Sequence, residues 1–151
     1  MVTWINLYPL LYKGQIMGKS GNIRANQFIY KQAADLNNNQ SAVILDEDGE
    51  IGNYNRGNRS IGHFLENALP ILVTLPIGFK VFPVPSALLF INYSIGRMVY
   101  QIGYTSIGFG AHVSGFMIDR FSTFTMLSLV LIAGVVMIAY DGPPPDQLAL
   151  A

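Results

Sequence analysis

Hydrophobic residues in this chain come in long blocks, where a soluble protein would distribute them along amphipathic faces. The longest block, FSTFTMLSLVLIAGVVMIAY over residues 121–140, contains no charged residue. As a helix it is about long enough to cross a hydrocarbon core of roughly 30 Å. Asp119 and Arg120 precede it, and Asp141, Gly142 and the run Pro143 to Pro145 follow it, so both flanks read as helix ends. Two further blocks, 59–79 and 85–104, are predicted as transmembrane helices. The stretch KVFPVP between them, with Lys80, Pro83 and Pro85, predicts a tight interfacial turn closing a helical hairpin.

The N-terminal block MVTWINLYPLLY covers only about 18 Å as a helix before Lys13 is reached. Residues 1–18 are therefore expected to form a short or interrupted first membrane helix, which would span only if Lys13 and Gln15 faced protein and the helix ran on past Met17. No basic region precedes the apolar run, which argues against a cleaved leader. Residues 19–58 read as a polar connector containing DLNNNQ and DEDGE, and residues 141–151 as a C-terminal tail. The pattern as a whole predicts one all-α integral membrane domain over residues 1–151.

Composition strengthens this reading. Charged residues make up 12% of the 151, about half of the roughly 25% usual in soluble domains. The formal net charge is zero, so no basic stripe favours a nucleic-acid partner. Cysteine is absent, which removes disulfides, thiolate metal sites and a cysteine nucleophile.

Several local motifs dissolve on inspection. GQIMGKS, from Gly14 to Ser20, is one residue short of a phosphate-binding loop and follows no strand. DEDGE lacks the ligand rhythm of a calcium loop. The glycines of GYTSIGFGAHVSGF sit outside any dinucleotide-binding unit and read as small residues at a membrane helix end and loop. No metal site is predicted.

Two polar stripes carry more information. Arg59, His63 and Glu66 are spaced i, i+4, i+7, so they share one face of a helix. Arg97, Tyr100 and Tyr104 are spaced i, i+3, i+7 along the next. A charge inside a bilayer must face protein, water or a counter-charge. Glu66 is the only acidic residue between Glu50 and Asp119, so a structural ion pair between Glu66 and Arg97 is expected, beside the possibility that both stripes hold a ligand.

In this order and spacing, the stripes resemble the MAPEG family, the membrane-associated proteins of eicosanoid and glutathione metabolism, and most of all its microsomal glutathione S-transferase type 3 branch. RSIGHFLENALP is similar to the family's second-helix pattern through Arg59, Glu66 and Pro70, with His63 in the place of an asparagine. Gly96, Arg97, Tyr100, Gly103 and Tyr104 match its third-helix pattern in full. The likeness covers about residues 42–140. It implies a four-helix transmembrane bundle of MAPEG type with a short or degenerate first helix. It also implies homotrimers in which glutathione lies between subunits, here held by Arg59, His63, Glu66, Arg97, Tyr100 and Tyr104. A basic residue beyond the third helix would stabilise the thiolate.

The chain departs from that pattern at Ile61, where the family often has a polar residue, and at His63. MGKSGNIRANQFIY resembles the basic end of the family's first helix only loosely, through Lys19 and Arg24. The segment after Tyr104 has no lysine or arginine before Arg120, leaving Ser106 and His112 near the position of the thiolate-stabilising cation. A thiol needs a nearby cation or strong donors to ionise at neutral pH, and an unperturbed histidine is mostly neutral there.

Two functions follow. The preferred one is a non-catalytic MAPEG-like membrane subunit, an accessory component of a larger membrane complex such as a mitochondrial respiratory-chain assembly, needing no cofactor and contacting membrane lipids and other subunits. The alternative is a glutathione transferase or peroxidase acting on lipophilic electrophiles or lipid hydroperoxides. That enzyme would be a homotrimer with glutathione as co-substrate and Tyr104 or His112 as catalytic candidates. The first suggests the mitochondrial inner membrane, the second the endoplasmic reticulum. A weaker third reading gives the polar face to a lipid headgroup or a quinone.

Overall fold

The structure, a computed structural model, describes residues 2–19, 27–34 and 41–139. Helix α1 (Val2–Met17) is followed by strands β1 (Tyr30–Ala34) and β2 (Ser41–Leu45), then by helices α2 (Gly49–Val81), α3 (Pro83–Ser106) and α4 (Val113–Ala139). The chain is mostly helical. Of the four helices among the described residues, α2 and α4 are long and apolar enough to cross a membrane, with mean hydropathies of 1.4 and 2.3 over their most apolar stretches. Helix α3 has 24 residues, but Ser94, Arg97 and Gln101 dilute its hydropathy; all three are buried against protein.

Successive helices run in opposite directions. A single residue, Phe82, separates α2 from α3: its N–H donates to the Gly78 carbonyl at 2.7 Å, and Pro83 opens α3 where no amide donor is needed. The tight turn expected at KVFPVP is present. Between α3 and α4 the chain turns through Gly108 and Gly110, both at positive φ, a region open to glycine at little cost.

Close backbone approach locks α3 onto α4. A Cβ on Gly115 would lie 2.2 Å from the Tyr100 nitrogen, and one on Gly96 would lie 2.7 Å from the Asp119 nitrogen. Farther along, the Asn92 amide donates to Ser122 Oγ at 2.8 Å. Helix α1, 16 residues long, reaches about 24 Å and is short, as expected. It packs on α2 where Gly57 leaves room for the Pro9 carbonyl and the Lys13 stem, so Lys13 faces protein and is buried, whereas Gln15 is exposed and the helix ends at Met17.

Two expected boundaries are corrected. Residues 49–58, assigned to the polar connector, form the first three turns of α2, and the connector also contains the antiparallel β1–β2 hairpin, with Tyr30 opposite Leu45. Asparagine and glycine are weak helix formers, so GNYNRGN reads as loop. Tertiary hydrogen bonds override that preference. The Asn55 side chain accepts from the Ile29 N–H at 3.0 Å and donates to the carbonyls of Ile29 and Asp46, both at 2.7 Å. Asn58 donates to the Gln27 carbonyl at 2.9 Å. Helix α4 also begins earlier than expected, which puts Asp119 and Arg120 inside it. The tail at 141–151 lies outside the described residues.

The interior is unusually polar and the exterior unusually apolar. Ile5, Phe64, Ala68, Ile71, Tyr93 and Met126 form the hydrophobic cluster. Asn6, Arg97, Gln101, Thr105, Asp119 and Ser122 are buried around it, while Trp4, Leu65, Leu69, Leu88, Phe121, Leu131 and Ile138 are exposed. In water such an arrangement would strand large apolar surfaces.

Two outcomes are expected. Gly115→Ala should lower stability by about 1–3 kcal/mol through backbone overpacking. Gly134→Ala in the same helix, where an added Cβ meets nothing within 4 Å, should be neutral or stabilising by up to about 1 kcal/mol; thermal unfolding of the two proteins compares them. The hairpin should respond to pH. The Asp48 N–H, then Lys31, holds the Asp46 carboxyl below the ordinary carboxylate range. That contribution is complete above the ordinary range and disappears as pH falls through the lowered value. The protection of the Asp48 amide, its exchange rate taken relative to the intrinsic rate at the same pH, should fall on acidification, and Asp46→Asn should abolish the acid step.

Candidate functional site

The site is built around Arg97. Its position on α3, beside the Gly96–Gly115 contact with α4, places its whole side chain inside the protein at 0% exposure. A guanidinium cannot shed its charge in a protein, so the surroundings must satisfy it. Nη1 donates to Asp119 Oδ2 at 2.8 Å. The cation also lies 4.6 Å from the Tyr100 ring centre and 5.4 Å from that of Phe64, where the negative ring faces attract it. Nε and Nη2 have no hydrogen-bond partner.

Asp119 serves a second arginine. Arg120 Nε donates to Asp119 Oδ1 at 2.6 Å, and Arg120 Nη1 donates to Asn67 Oδ1 at 3.0 Å. The Asn67 amide then donates to the His63 carbonyl at 2.8 Å, closing the network across α2, α3 and α4. One carboxylate is shared by two guanidiniums.

His63 joins the two predicted stripes. Its Nδ1 lies 3.2 Å from Arg97 Nη1, and a guanidinium has only donors, so Nδ1 accepts and the proton is assigned to Nε2 of a neutral ring. The ring stacks on Tyr100, with centres 5.0 Å apart and planes 8° apart. Tyr104 continues the column at 6.0 Å. His112, from the turn after α3, stands edge-on to Tyr100 at 5.0 Å and to Tyr104 at 5.3 Å.

The sequence-predicted residues thus separate into two groups. Arg97, Tyr100 and Tyr104 are buried, and with His63 and His112 they form one packed column. Arg59 and Glu66 are exposed and line, with His63, an open cavity of about 400 Å³ on the outer face of α2. Ser106 meets the Tyr8 hydroxyl of α1 at 2.5 Å. Lys19 pairs with Glu50 at the surface, and Arg24 lies outside the described residues.

The expected Glu66–Arg97 ion pair is not formed and is corrected to Arg97–Asp119. Arg97 points into the contact with α4, whereas Glu66 lies on the outer side of α2. Sequence reasoning missed Asp119, Arg120 and Asn67. A signal was available: in GFMIDRFSTF the Asp-Arg pair is flanked by apolar residues on both sides, a pattern better suited to a helix interior than to a helix end. A further missed contact is the Gln101 amide donating to Asn6 Oδ1 at 2.7 Å, which ties α3 to α1. Among the described residues no group of three His, Asp or Glu side chains could hold a metal ion.

No family model, no curated protein and no solved structure matches this chain.

Chemically, the buried half of the site is a charge-packing device, and the exposed half is a surface offering one cation, one anion and a neutral imidazole donor. The two halves should respond differently to mutation. Asp119→Asn leaves two guanidiniums without a carboxylate and should cost about 3–5 kcal/mol, the usual penalty for breaking a buried pair from one side. Replacing the network's charges together, as Arg97→Met with Asp119→Leu and Arg120→Leu, should recover most of that loss. Glu66→Gln should change stability by less than about 0.5 kcal/mol. Thermal unfolding of the variants separates these outcomes.

Proposed function

We propose that the chain is a non-catalytic membrane subunit of MAPEG type, its four helices packed as a transmembrane bundle, and that it serves as an accessory component of a larger membrane complex. A respiratory-chain assembly of the mitochondrial inner membrane is a complex of the appropriate kind. The observation that carries this reading is the burial of Arg97. The arginine that resemblance assigns to glutathione is wholly enclosed and hydrogen-bonded to Asp119 of its own chain. Tyr100 and Tyr104 are buried beside it. Side chains committed to holding helices together are poorly placed to meet a soluble tripeptide. The polar interior and apolar exterior support a lipid surround, because in lipid the apolar outer face costs little and internal polar contacts hold the helices together.

The alternative, a glutathione transferase or peroxidase of the endoplasmic reticulum working as a homotrimer, is favoured by one observation. Arg59, His63 and Glu66 share an open cavity, and a neighbouring copy could complete it. Under that reading glutathione is the co-substrate and Tyr104 or His112 assists the thiolate.

The two readings are separated by mixing purified protein with glutathione and following thiolate absorbance and conjugation to a generic electrophile. The accessory reading expects no signal above the uncatalysed rate from folded protein, and a single copy of the chain among unrelated subunits when the native complex is isolated. A free homotrimer with robust turnover would overturn it.

A further inference from the structure

The outer face of α2 is an incomplete site. Among the described residues lining the 400 Å³ cavity, Phe28 alone comes from outside α2; the rest lie on consecutive turns of the helix between Asn58 and Glu66. A second cavity of about 250 Å³ shares Phe28 and Arg59 with the first and continues towards Tyr30 and Leu45 of the hairpin. Together they form one groove, with a single continuous wall among the described residues.

The chemistry of that wall is specific. Arg59 and Glu66 are both exposed and make no ion pair among the described residues. They are seven residues apart, about 10 Å along the helix axis, with His63 between them. Asn58 is 6% exposed, and its amide is committed to Gln27, leaving Oδ1 without a partner. On the membrane side the groove opens onto exposed Leu65, Leu69 and Leu72. A carboxylate on an apolar helix face is costly in lipid unless a cation or donor meets it. A simple anion would satisfy Arg59 and be repelled by Glu66. A transmembrane helix with both charges satisfies both and covers the leucines.

We infer that this face of α2 seats a membrane helix of another subunit, one that carries a basic residue opposite Glu66 and an acidic residue opposite Arg59, about seven residues apart. The inference rests on the accessory-subunit reading and specifies the partner's chemistry.

The test uses the native complex in its own membrane. A photo-crosslinking residue placed at Leu65 is activated and the joined peptides are sequenced, with the same probe at Val135 on the exposed face of α4 as reference. The expected product at Leu65 joins a membrane helix of a different subunit bearing Lys or Arg and Asp or Glu at the stated spacing. Glu66→Lys should reduce incorporation into the complex by about tenfold or more, and exchanging the partner's basic residue for glutamate should restore it. A Leu65 adduct with lipid alone, with residues 20–26 of the same chain, or with a helix lacking these charges overturns the inference. If Val135 then still joins another subunit, the accessory reading stands. A Leu65 adduct with a second copy, in a protein that turns over glutathione, overturns both.

Discussion

A permanent positive charge enclosed away from water is the constraint on which the rest of the structure depends. Arg97 cannot lose its proton, and at 0% exposure it cannot reach water, so neighbouring elements must supply its counter-charge and acceptors. Helix α4 brings Asp119, α2 brings His63, and α3 itself supplies the face of Tyr100. These contacts require α3 and α4 to approach closely. Gly96 and Gly115 permit that approach, since a Cβ at either would collide with the facing backbone. The small residues and the buried charge are parts of one solution.

The same network sets the relation of α2 to the other helices. Arg120 reaches Asn67, and Asn67 reaches the His63 carbonyl. The hydrogen bonds and the ion pair are directional, whereas dispersion contacts between aliphatic side chains are not. In a helix pair whose outer faces are uniformly apolar, directional contacts fix rotation and register. The polar groups of this network position helices against one another.

Helix α2 links two environments. Its first turns carry Asn55 and Asn58, whose amides hold the backbone at Gln27, Ile29 and Asp46. Its later turns carry Phe64, Ala68 and Ile71 of the hydrophobic cluster. The hairpin, a two-stranded element that is marginal alone, gains its attachment from those asparagines. The groove lined by Phe28 and Arg59 lies at the junction of the two regions.

The sequence by itself determined the apolar blocks, the short first helix, the tight turn at Phe82 and the one-sided placement of each polar stripe. These follow from local chemistry, namely block length, proline geometry and helical periodicity. Tertiary structure alone decided which acid answers Arg97. Counting residues along the chain made Glu66 the nearest candidate, but the pairing depends on which helix faces meet, and the Gly96–Gly115 contact brings Asp119 to the guanidinium. The start of α2 was equally hidden, because GNYNRGN has weak helix propensity and its hydrogen-bond partners lie elsewhere in the chain. Periodicity tells which residues share a face; only packing tells what that face meets.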